Sequence, residues 1–241
     1  MSTYDVTSYK HDVENFISDL AKLAAIRDNE RNNAELMFSR LQAINSISRG
    51  LSAKTAFLRY MELSEVETDL AIEQRRHALT PVIERVSYAA RQLNYLHHGK
   101  TIARPVELVR ETYGDFYGPD FFEFIPFAVI DNAVKYKLRD GDIKIKTHDS
   151  GIDGFVDISS FGPAILEDER ERIFQQGSRG KFAIEAGRVG SGIGLYHARE
   201  AMRSAFGGDL LLVRSDQSNR FNVDGVPYDY HTFRLKVPLI V

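Results

Sequence analysis

Apolar residues in the first part of the chain recur at alternating steps of four and three, which is the spacing of one face of a helix. In the first run these residues are Phe16, Leu20, Leu23, Ala34, Met37, Leu41, Ile44 and Leu51. The run predicts a long first helix. The stretch 27–33 is polar on every face and could equally divide it into two helices.

A second apolar run predicts a second helix over 66–96, after a turn signal in which Ser64 is suited to cap a helix. Pro81 lacks a backbone donor, so this helix should kink there or begin just before it. Two such helices form an antiparallel hairpin with exposed apolar stripes. A second copy would bury them, which predicts a homodimer joined by a four-helix bundle.

The distribution of glycine and proline predicts a domain boundary near residue 99. Residues 1–98 hold one of the 17 glycines and one of the 7 prolines, which suits a helical dimerisation domain. Residues 99–241 alternate between helical and strand patterns and predict an α/β sandwich with a mainly antiparallel sheet, so the fold class is α+β. The predicted helices are 104–113, 121–136, 167–174 and 191–206, and the predicted strands are 142–147, 154–159, 209–214 and 231–238.

Composition narrows the function classes. With 31 Lys+Arg against 34 Asp+Glu the net charge is −3, so nucleic-acid binding is not expected. No apolar run is long enough to span a membrane and the start lacks a signal-peptide pattern, which predicts a cytoplasmic protein without membrane contact. The absence of cysteine excludes thiolate chemistry.

A glycine-rich string before the last predicted helix is the strongest chemical signal. It consists of Gly190, Ser191, Gly192, Ile193, Gly194 and Leu195. Glycines at a helix entrance let backbone N–H groups approach an anion, and the helix dipole favours phosphate there. About sixty residues earlier, Asn132 and Lys135 share one helical face and offer an amide oxygen for a hard cation beside an ammonium for phosphate.

Five motifs in order resemble the ATP-binding domain of sensor histidine kinases, whose superfamily includes gyrase, the ninety-kilodalton chaperones and the MutL proteins. The motifs are Asn-Ala-x-Lys-Tyr at 132–136, Gly-Pro-x-Ile at 162–165, Glu-Arg-Ile-Phe at 171–174, Gly-Ser-Gly-Ile-Gly-Leu at 190–195 and Thr-Phe-x-Leu-x-Val-Pro at 232–238. The resemblance covers roughly 104–240. It implies a Bergerat-type fold that binds ATP and Mg beneath a flexible lid.

The resemblance also implies site residues. Asn132 would hold Mg and phosphate oxygens, Lys135 and Tyr136 would face the phosphates and the base, and the glycines of 190–194 would cradle phosphate. The lid would be 175–189, which carries Arg179 and Lys181. Ser160, Gly162 and Thr232 would lie on the adenine side.

Two positions depart from the family at the nucleotide. The family's adenine-binding Asp is replaced by Ser160, so a neutral hydroxyl, with Thr232 and water, would have to serve. Asp157 lies on the opposite face of the same predicted strand and is a poor substitute. ATP-hydrolysing relatives carry a glutamate one helical turn before the Mg-binding Asn. Here that position is Ala128, so rapid hydrolysis is not expected.

The phosphoacceptor is the open question. The family's His-Glu-x-x-x-x-Pro string is absent, and the best candidate is His11, with Asp12 as the base. With a second helix over 66–96 and about 1.5 Å of rise per residue, His11 would lie about 25–30 Å beyond the hinge unless the first helix breaks at 27–33. Two hypotheses therefore stand: a kinase that passes phosphate through a histidine to a response regulator, or a non-catalytic nucleotide-binding regulator that binds a partner.

Overall fold

The computed structural model of the chain describes residues 41, 44–45, 48–57, 60, 73–98, 106–137, 141–187 and 190–240, with the backbone alone at 92–98 and 214–219. The described residues before 73 are helical at 41, 44–45, 48–57 and 60. From there the order is β1 (Arg75–Ala78), α1 (Leu79–His98), β2 (Val106–Arg110), β3 (Asp115–Gly118), α2 (Phe124–Tyr136), β4 (Ile143–Asp149), β5 (Asp153–Pro163), two 3-10 turns (Glu167–Glu169 and Arg172–Phe174), α3 (Lys181–Glu185), α4 (Gly194–Phe206), β6 (Asp209–Val223) and β7 (Val226–Pro238).

A five-stranded sheet of order β2-β4-β5-β7-β6 forms one layer. β2 pairs with β4 in parallel, and the remaining neighbours are antiparallel. β1 and β3 form a separate two-stranded sheet. The predicted α/β sandwich with a mainly antiparallel sheet is confirmed.

Alternation along the strands gives the large sheet one apolar face. Ile143 and Ile145 on β4, and Val156 and Ile158 on β5, are almost completely buried, because α1, α2 and α4 cover this face. α2 contacts both α1 and α4 and so lies between them. In the described parts of the chain, no helix has the length and apolarity needed to cross a membrane.

The second predicted helix begins later than its apolar pattern suggested. Residues 73–74 have no regular structure, Arg75–Ala78 is a strand paired with β3, and the helix starts at Leu79. Pro81 is its third residue, where a backbone donor would have no partner in the helix, so the option that the helix begins just before Pro81 is confirmed. The first helix, the turn at 63–66 and the four-helix bundle fall mainly on residues outside the described ranges.

The helix predicted over 104–113 is wrong, because its described part, 106–113, is not helical. Val106–Arg110 is the edge strand β2, which pairs along its whole length with β4 and buries Val106 in the core. A short segment such as Val-Glu-Leu-Val-Arg fits either structure, and tertiary pairing decides between them. β6 and β7 are also longer than predicted. They meet at Asp224-Gly225, where both residues have positive φ, as a tight hairpin turn requires.

The helical residues 48–57, the leading segment, pack on the same helical layer. Phe57 is fully buried, and its ring stacks on Phe124 with 5.1 Å between centroids. Gly50 lies against the ring of Phe127, where an added Cβ would be 3.4 Å away. Arg49 donates two hydrogen bonds to the carboxylate of Glu123, which also accepts from Arg85. The leading segment therefore shares the core with α2.

The other face of the sheet is polar and includes a cluster around Asp157. Its carboxylate accepts two hydrogen bonds from Arg234, at 2.6 and 2.7 Å, and lies 3.1 Å from Nε2 of His148. Burial alone would raise the pKa of Asp157, but the hydrogen bonds from Arg234 and His148 hold it below its ordinary value. As predicted, Asp157 lies on the face opposite Ser160.

We expect Asp157→Asn to lower the free energy of unfolding by about 2 kcal/mol at pH 7, because charge-assisted hydrogen bonds at a mostly buried carboxylate are lost. The folded-state pKa is depressed, so this contribution is complete above the unfolded-state pKa of about 4 and disappears as the pH falls through the folded-state value. Urea denaturation at pH 7 and pH 3 measures both effects. Asp153→Asn is the matched control: it removes a carboxylate on the same face of the same strand that pairs with the Lys236 ammonium, at 2.9 Å, instead of with a two-pronged guanidinium. It should change stability by less than about 1 kcal/mol.

Candidate nucleotide-binding site

The entrance of α4 has the backbone geometry that suits an anion. The helix begins at Gly194, without a side-chain cap and without an acidic residue in its first turn. Its first backbone N–H groups therefore have no partner within the helix, and the positive end of the helix dipole lies there. Ile193 is buried and anchors the entrance, whereas Gly190 and Ser191 are exposed.

The polar end of α2 lies directly beside this entrance. A Cβ added at Gly194 would be 3.8 Å from Nδ2 of Asn132, and one added at Gly190 would be 3.4 Å from the hydroxyl of Tyr136. These two elements, about sixty residues apart in sequence, thus lie side by side. That both contact one magnesium–triphosphate stays a prediction.

Lys135 has a different neighbour from the one predicted. Its ammonium lies 2.5 Å from the carboxylate of Asp131, four residues earlier on the same helix. Asp131 partly neutralises the charge of the Lys135 ammonium, which the sequence analysis placed beside a phosphate. A role for Lys135 at the phosphates therefore stays a prediction.

The donor set suits magnesium bound mainly through phosphate. Among the described residues, no group of three or more His, Asp or Glu side chains could hold a metal ion. Mg²⁺ keeps several waters and takes one or two protein oxygens together with substrate phosphates. The amide oxygen of Asn132 fits that requirement.

The strand register defines the other end of the pocket. Ser160 on β5 lies opposite His231 on β7, and Ser159 lies opposite Thr232. Directly paired residues share a face, so Ser160 and His231 face the helices, whereas Ser159 and Thr232 face away and their hydroxyls are 2.9 Å apart. Thr232 therefore does not join Ser160 on the nucleotide side as predicted, because a shift of one residue reverses the face.

His231 is the residue that the sequence prediction missed at this end. Its side chain lies over Gly162, with Cδ2 3.4 Å from the position of an added Cβ, and Nε2 lies 3.0 Å from the carbonyl oxygen of Pro163. Burial lowers the pKa of His231, and the nearby carbonyls of Pro163 and Gly162 oppose this shift only in part. His231 is therefore neutral at pH 7, and Nε2–H donates to Pro163.

The segment predicted as a lid is partly helical. It contains α3 (Lys181–Glu185) instead of loop throughout, and 188–189 lie outside the described residues. Arg179 is half-buried before α3, while Lys181 is exposed, with its ammonium 5.4 Å from the ring centre of Phe182. Both cations lie in the predicted segment, and their contact with phosphate stays a prediction.

A buried carboxylate fixes the start of this segment. Glu169 accepts hydrogen bonds from the amides of Leu166, at 3.1 Å, and Lys181, at 2.8 Å, and from the guanidinium of Arg172, at 2.9 Å. Gly192 completes the attachment: its φ is +72°, and an added Cβ would be 2.6 Å from the carbonyl oxygen of Ser178. The glycine string and the lid are therefore in direct backbone contact.

Arg199 anchors α4 to the rest of the domain. Its guanidinium donates to Glu171, at 2.7 Å, and to Asp209, at 3.1 Å, and lies 4.5 Å from the ring centre of Phe174. Burial would raise the pKa of Asp209, but hydrogen bonds from Arg203 and Arg199 hold it low. Sequence reasoning did not find Glu169 or Arg199, since each appears only as one charge on an amphipathic segment.

The fold and the paired glycine and asparagine elements define a nucleotide-binding domain of the Bergerat type. Residues 119–239, just over half of the chain, match the family described as "Histidine kinase-, DNA gyrase B-, and HSP90-like ATPase". The chain belongs to this family and contains a histidine-kinase-like ATPase domain. Ala128 lies one helical turn before Asn132 in this domain.

Sequence relatives are sensor kinases. "Sensor histidine kinase GlrK" of Escherichia coli K12 is 25% identical over 181 residues, which are 75% of this chain and 37% of that protein. "Adaptive-response sensory kinase SasA" of Synechococcus sp. JA-3-3Ab is 33% identical over 90 residues, 37% of this chain and 23% of that protein. The matches thus span well under half the length of these relatives.

Solved structures agree on the fold. The "Mycobacterial sensor histidine kinase MprB" superposes with a TM-score of 0.53 at 19% identity, covering 69% of this chain and 98% of that one. The "Acinetobacter baumannii histidine kinase AdeS" gives a TM-score of 0.52 at 18% identity, covering 96% of this chain and 98% of that one. At these identities the similarity supports the fold alone.

Gly192→Ala should weaken nucleotide binding at least about tenfold, because the new methyl group has both an unfavourable φ and a collision with the Ser178 carbonyl. Calorimetric titration with a magnesium–nucleotide complex measures the affinity. Gly187→Ala is the matched control: its φ is +65°, but nothing lies within 4 Å of an added Cβ. Equal losses in both variants would mean that backbone strain, and not the contact between the glycine string and the lid, is responsible.

Proposed function

We propose that this protein is a protein-histidine kinase of a two-component signalling system. It binds ATP with Mg²⁺, transfers the γ-phosphoryl group to a histidine, and passes it on to an aspartate of a response regulator. The observation that carries the proposal is the convergence of Gly194, at the open end of α4, with the carboxamide of Asn132. Membership of the ATPase family and the sensor-kinase relatives support it.

Each residue of the site would have a role in phosphoryl transfer that follows from its position. Backbone N–H groups at the start of α4 bind phosphate oxygens, and Asn132 supplies an oxygen to Mg²⁺, which when bound neutralises charge on the transferred group. Arg179 and Lys181 approach from the lid. Ala128 offers no carboxylate to activate water, so a positioned side-chain nucleophile is favoured over hydrolysis.

His11 is the proposed phosphoacceptor and Asp12 its base, and both lie outside the described residues. The distance argument against His11 assumed that 66–96 formed the second helix of the hairpin. α1 instead packs on α2 in the helical layer, and β1 precedes it. We therefore propose that the boundary between the dimerisation domain and the ATP-binding domain lies before residue 73 instead of at 98/99. An unbroken first helix would then put His11 still farther from the hinge, so the assignment of His11 requires that the first helix breaks at 27–33.

The alternative is a nucleotide-binding regulator that transfers no phosphate and acts by binding a partner. Ser160 favours it, because the charged acceptor of the family is missing there. A homodimer, a response regulator as partner and a cytoplasmic location belong to the kinase proposal. The regulator would require only a lid whose conformation depends on the bound nucleotide.

Incubation with γ-labelled ATP and Mg²⁺ tests the proposal. The wild-type chain should acquire acid-labile, base-stable label, the stability of a phosphohistidine. His11→Gln should abolish the label without changing ATP affinity. Asn132→Ala should abolish both the label and most of the affinity.

Matched controls are His97→Gln, in α1, and Asn222→Ala, at an exposed position of β6, and both should keep full labelling. If the label persists in His11→Gln and is lost in Asn132→Ala, the phosphoacceptor is a residue other than His11. ATP binding without label would support the regulator. No ATP binding at all would overturn both functions.

A further inference from the structure

The leading segment presents one buried face to the helical layer. Its buried residues recur at the spacing of one side of a helix and are Gly50, Ala53, Lys54 and Phe57. The missing side chain of Gly50 lets the backbone approach α2 closely, since an added Cβ would be 3.4 Å from the ring of Phe127. Phe57, at the end of this face, is fully buried.

Phe57 lies between the two helices whose ends form the candidate nucleotide site. Its ring stacks on Phe124 of α2, with 5.1 Å between centroids and 13° between planes. The same ring meets His197 of α4 edge-on, with 5.6 Å between centroids. α2 carries Asn132, and α4 begins at Gly194, about one turn before His197. The Phe57 ring therefore contacts both helices close to the point where their polar ends approach each other.

A charged contact holds the other end of the leading segment. Arg49 donates two hydrogen bonds to the carboxylate of Glu123, at 2.8 and 3.1 Å, and Arg85 of α1 donates to the same carboxylate at 2.8 Å. Glu123 is only 9% exposed, so its charge depends on these partners. The leading segment is thus attached to the start of α2 at both of its ends, and this fixes the position of Phe57 relative to α2.

The position of α4 in turn depends on Phe57. His197 is 3% exposed, and dense packing leaves its ring no room to move while Phe57 is present. Removal of the Phe57 ring would leave a cavity beside His197, into which the first turn of α4 relaxes. Hydrogen bonds weaken steeply when their angle changes, so a displaced first turn would hold an anion less well.

We propose that Phe57 is a positioning residue for the nucleotide site. It acts through His197 and holds the start of α4 beside Asn132, so the packing of the leading segment sets the affinity for nucleotide. Phe57 lies outside the residues 119–239 that match the ATPase family. The proposal rests on the proposed nucleotide-binding function and adds control of that site by the chain that precedes it.

Titration calorimetry on the full chain, with the magnesium complex of the non-hydrolysable imido analogue of ATP, tests the proposal. Phe57→Ala should weaken binding at least about tenfold, a coupling of the size usual between linked sites. Phe57→Leu refills most of the cavity with an apolar side chain and should bind within about threefold of the wild type.

Ile145→Ala is the matched control, because Ile145 is also fully buried but lies on β4, whereas α4 packs on β6 and β7. Each alanine variant truncates a fully buried side chain, so the two should lower the melting temperature by similar amounts. The affinity of Ile145→Ala should nevertheless stay within about threefold of the wild type.

Fluorescence tests the same coupling from the other side. The chain contains no tryptophan, so Tyr60→Trp places a single indole at the position of the Tyr60 ring, whose centroid is 6.4 Å from that of Phe57. Coupling is reciprocal, so the analogue that binds at α4 changes the surroundings of this ring. The emission should shift along a saturation curve that gives the calorimetric dissociation constant. Phe155→Trp, on the polar face of the sheet, should show no shift.

An affinity of folded Phe57→Ala within about threefold of the wild type would overturn this inference and leave the nucleotide site intact. Equal losses in Phe57→Ala and Ile145→Ala would also overturn it, because general stability would then be responsible. If Phe57→Ala does not fold, an unchanged Tyr60→Trp emission at saturating analogue overturns the inference and a saturable shift supports it. No binding by the wild type would overturn the proposed function, and this inference with it.

Discussion

The close approach of two backbones is the constraint on which the nucleotide site depends. α4 begins beside the polar end of α2, and Gly192 lies so close to the carbonyl of Ser178 that any side chain there would collide. A Cβ at Gly190 would meet the hydroxyl of Tyr136. At position 192 glycine is therefore required both for the close contact and for the backbone conformation, and the N–H groups of the first turn of α4 stay open to a ligand.

Two buried charges hold this approach in place. Glu169 joins the exit of β5 to the start of α3, since its carboxylate accepts amide hydrogen bonds from both. Arg199 joins α4 to Glu171 before the second 3-10 turn and to Asp209 on β6. A buried charge persists only with several partners, so each of these residues fixes several elements at once.

The sequence predicted the parts of the site that depend on local pattern and missed those that depend on register. The glycine string, Asn132 and the helix that carries it follow from spacing and helix-end chemistry, and the structure brings them together. Thr232 and His231 are neighbours in a strand, and only the pairing of β7 with β5 determines which one faces the helices. Similarly, 104–113 has the composition of either a helix or a strand, and its parallel pairing with β4 decides the outcome.

The leading segment, residues 48–57, contacts both helices of the site, α2 and α4. Phe57 stacks on Phe124, at the start of α2, and its ring meets His197 of α4 edge-on at 5.6 Å. His197 is buried about one helical turn after Gly194, so the contact lies directly behind the start of α4. Because cores pack at high density, a shift of α4 changes the packing around Phe57, and a shift of the leading segment changes α4. The start of α4 thus belongs at once to the nucleotide pocket and to the contact with the preceding helical residues.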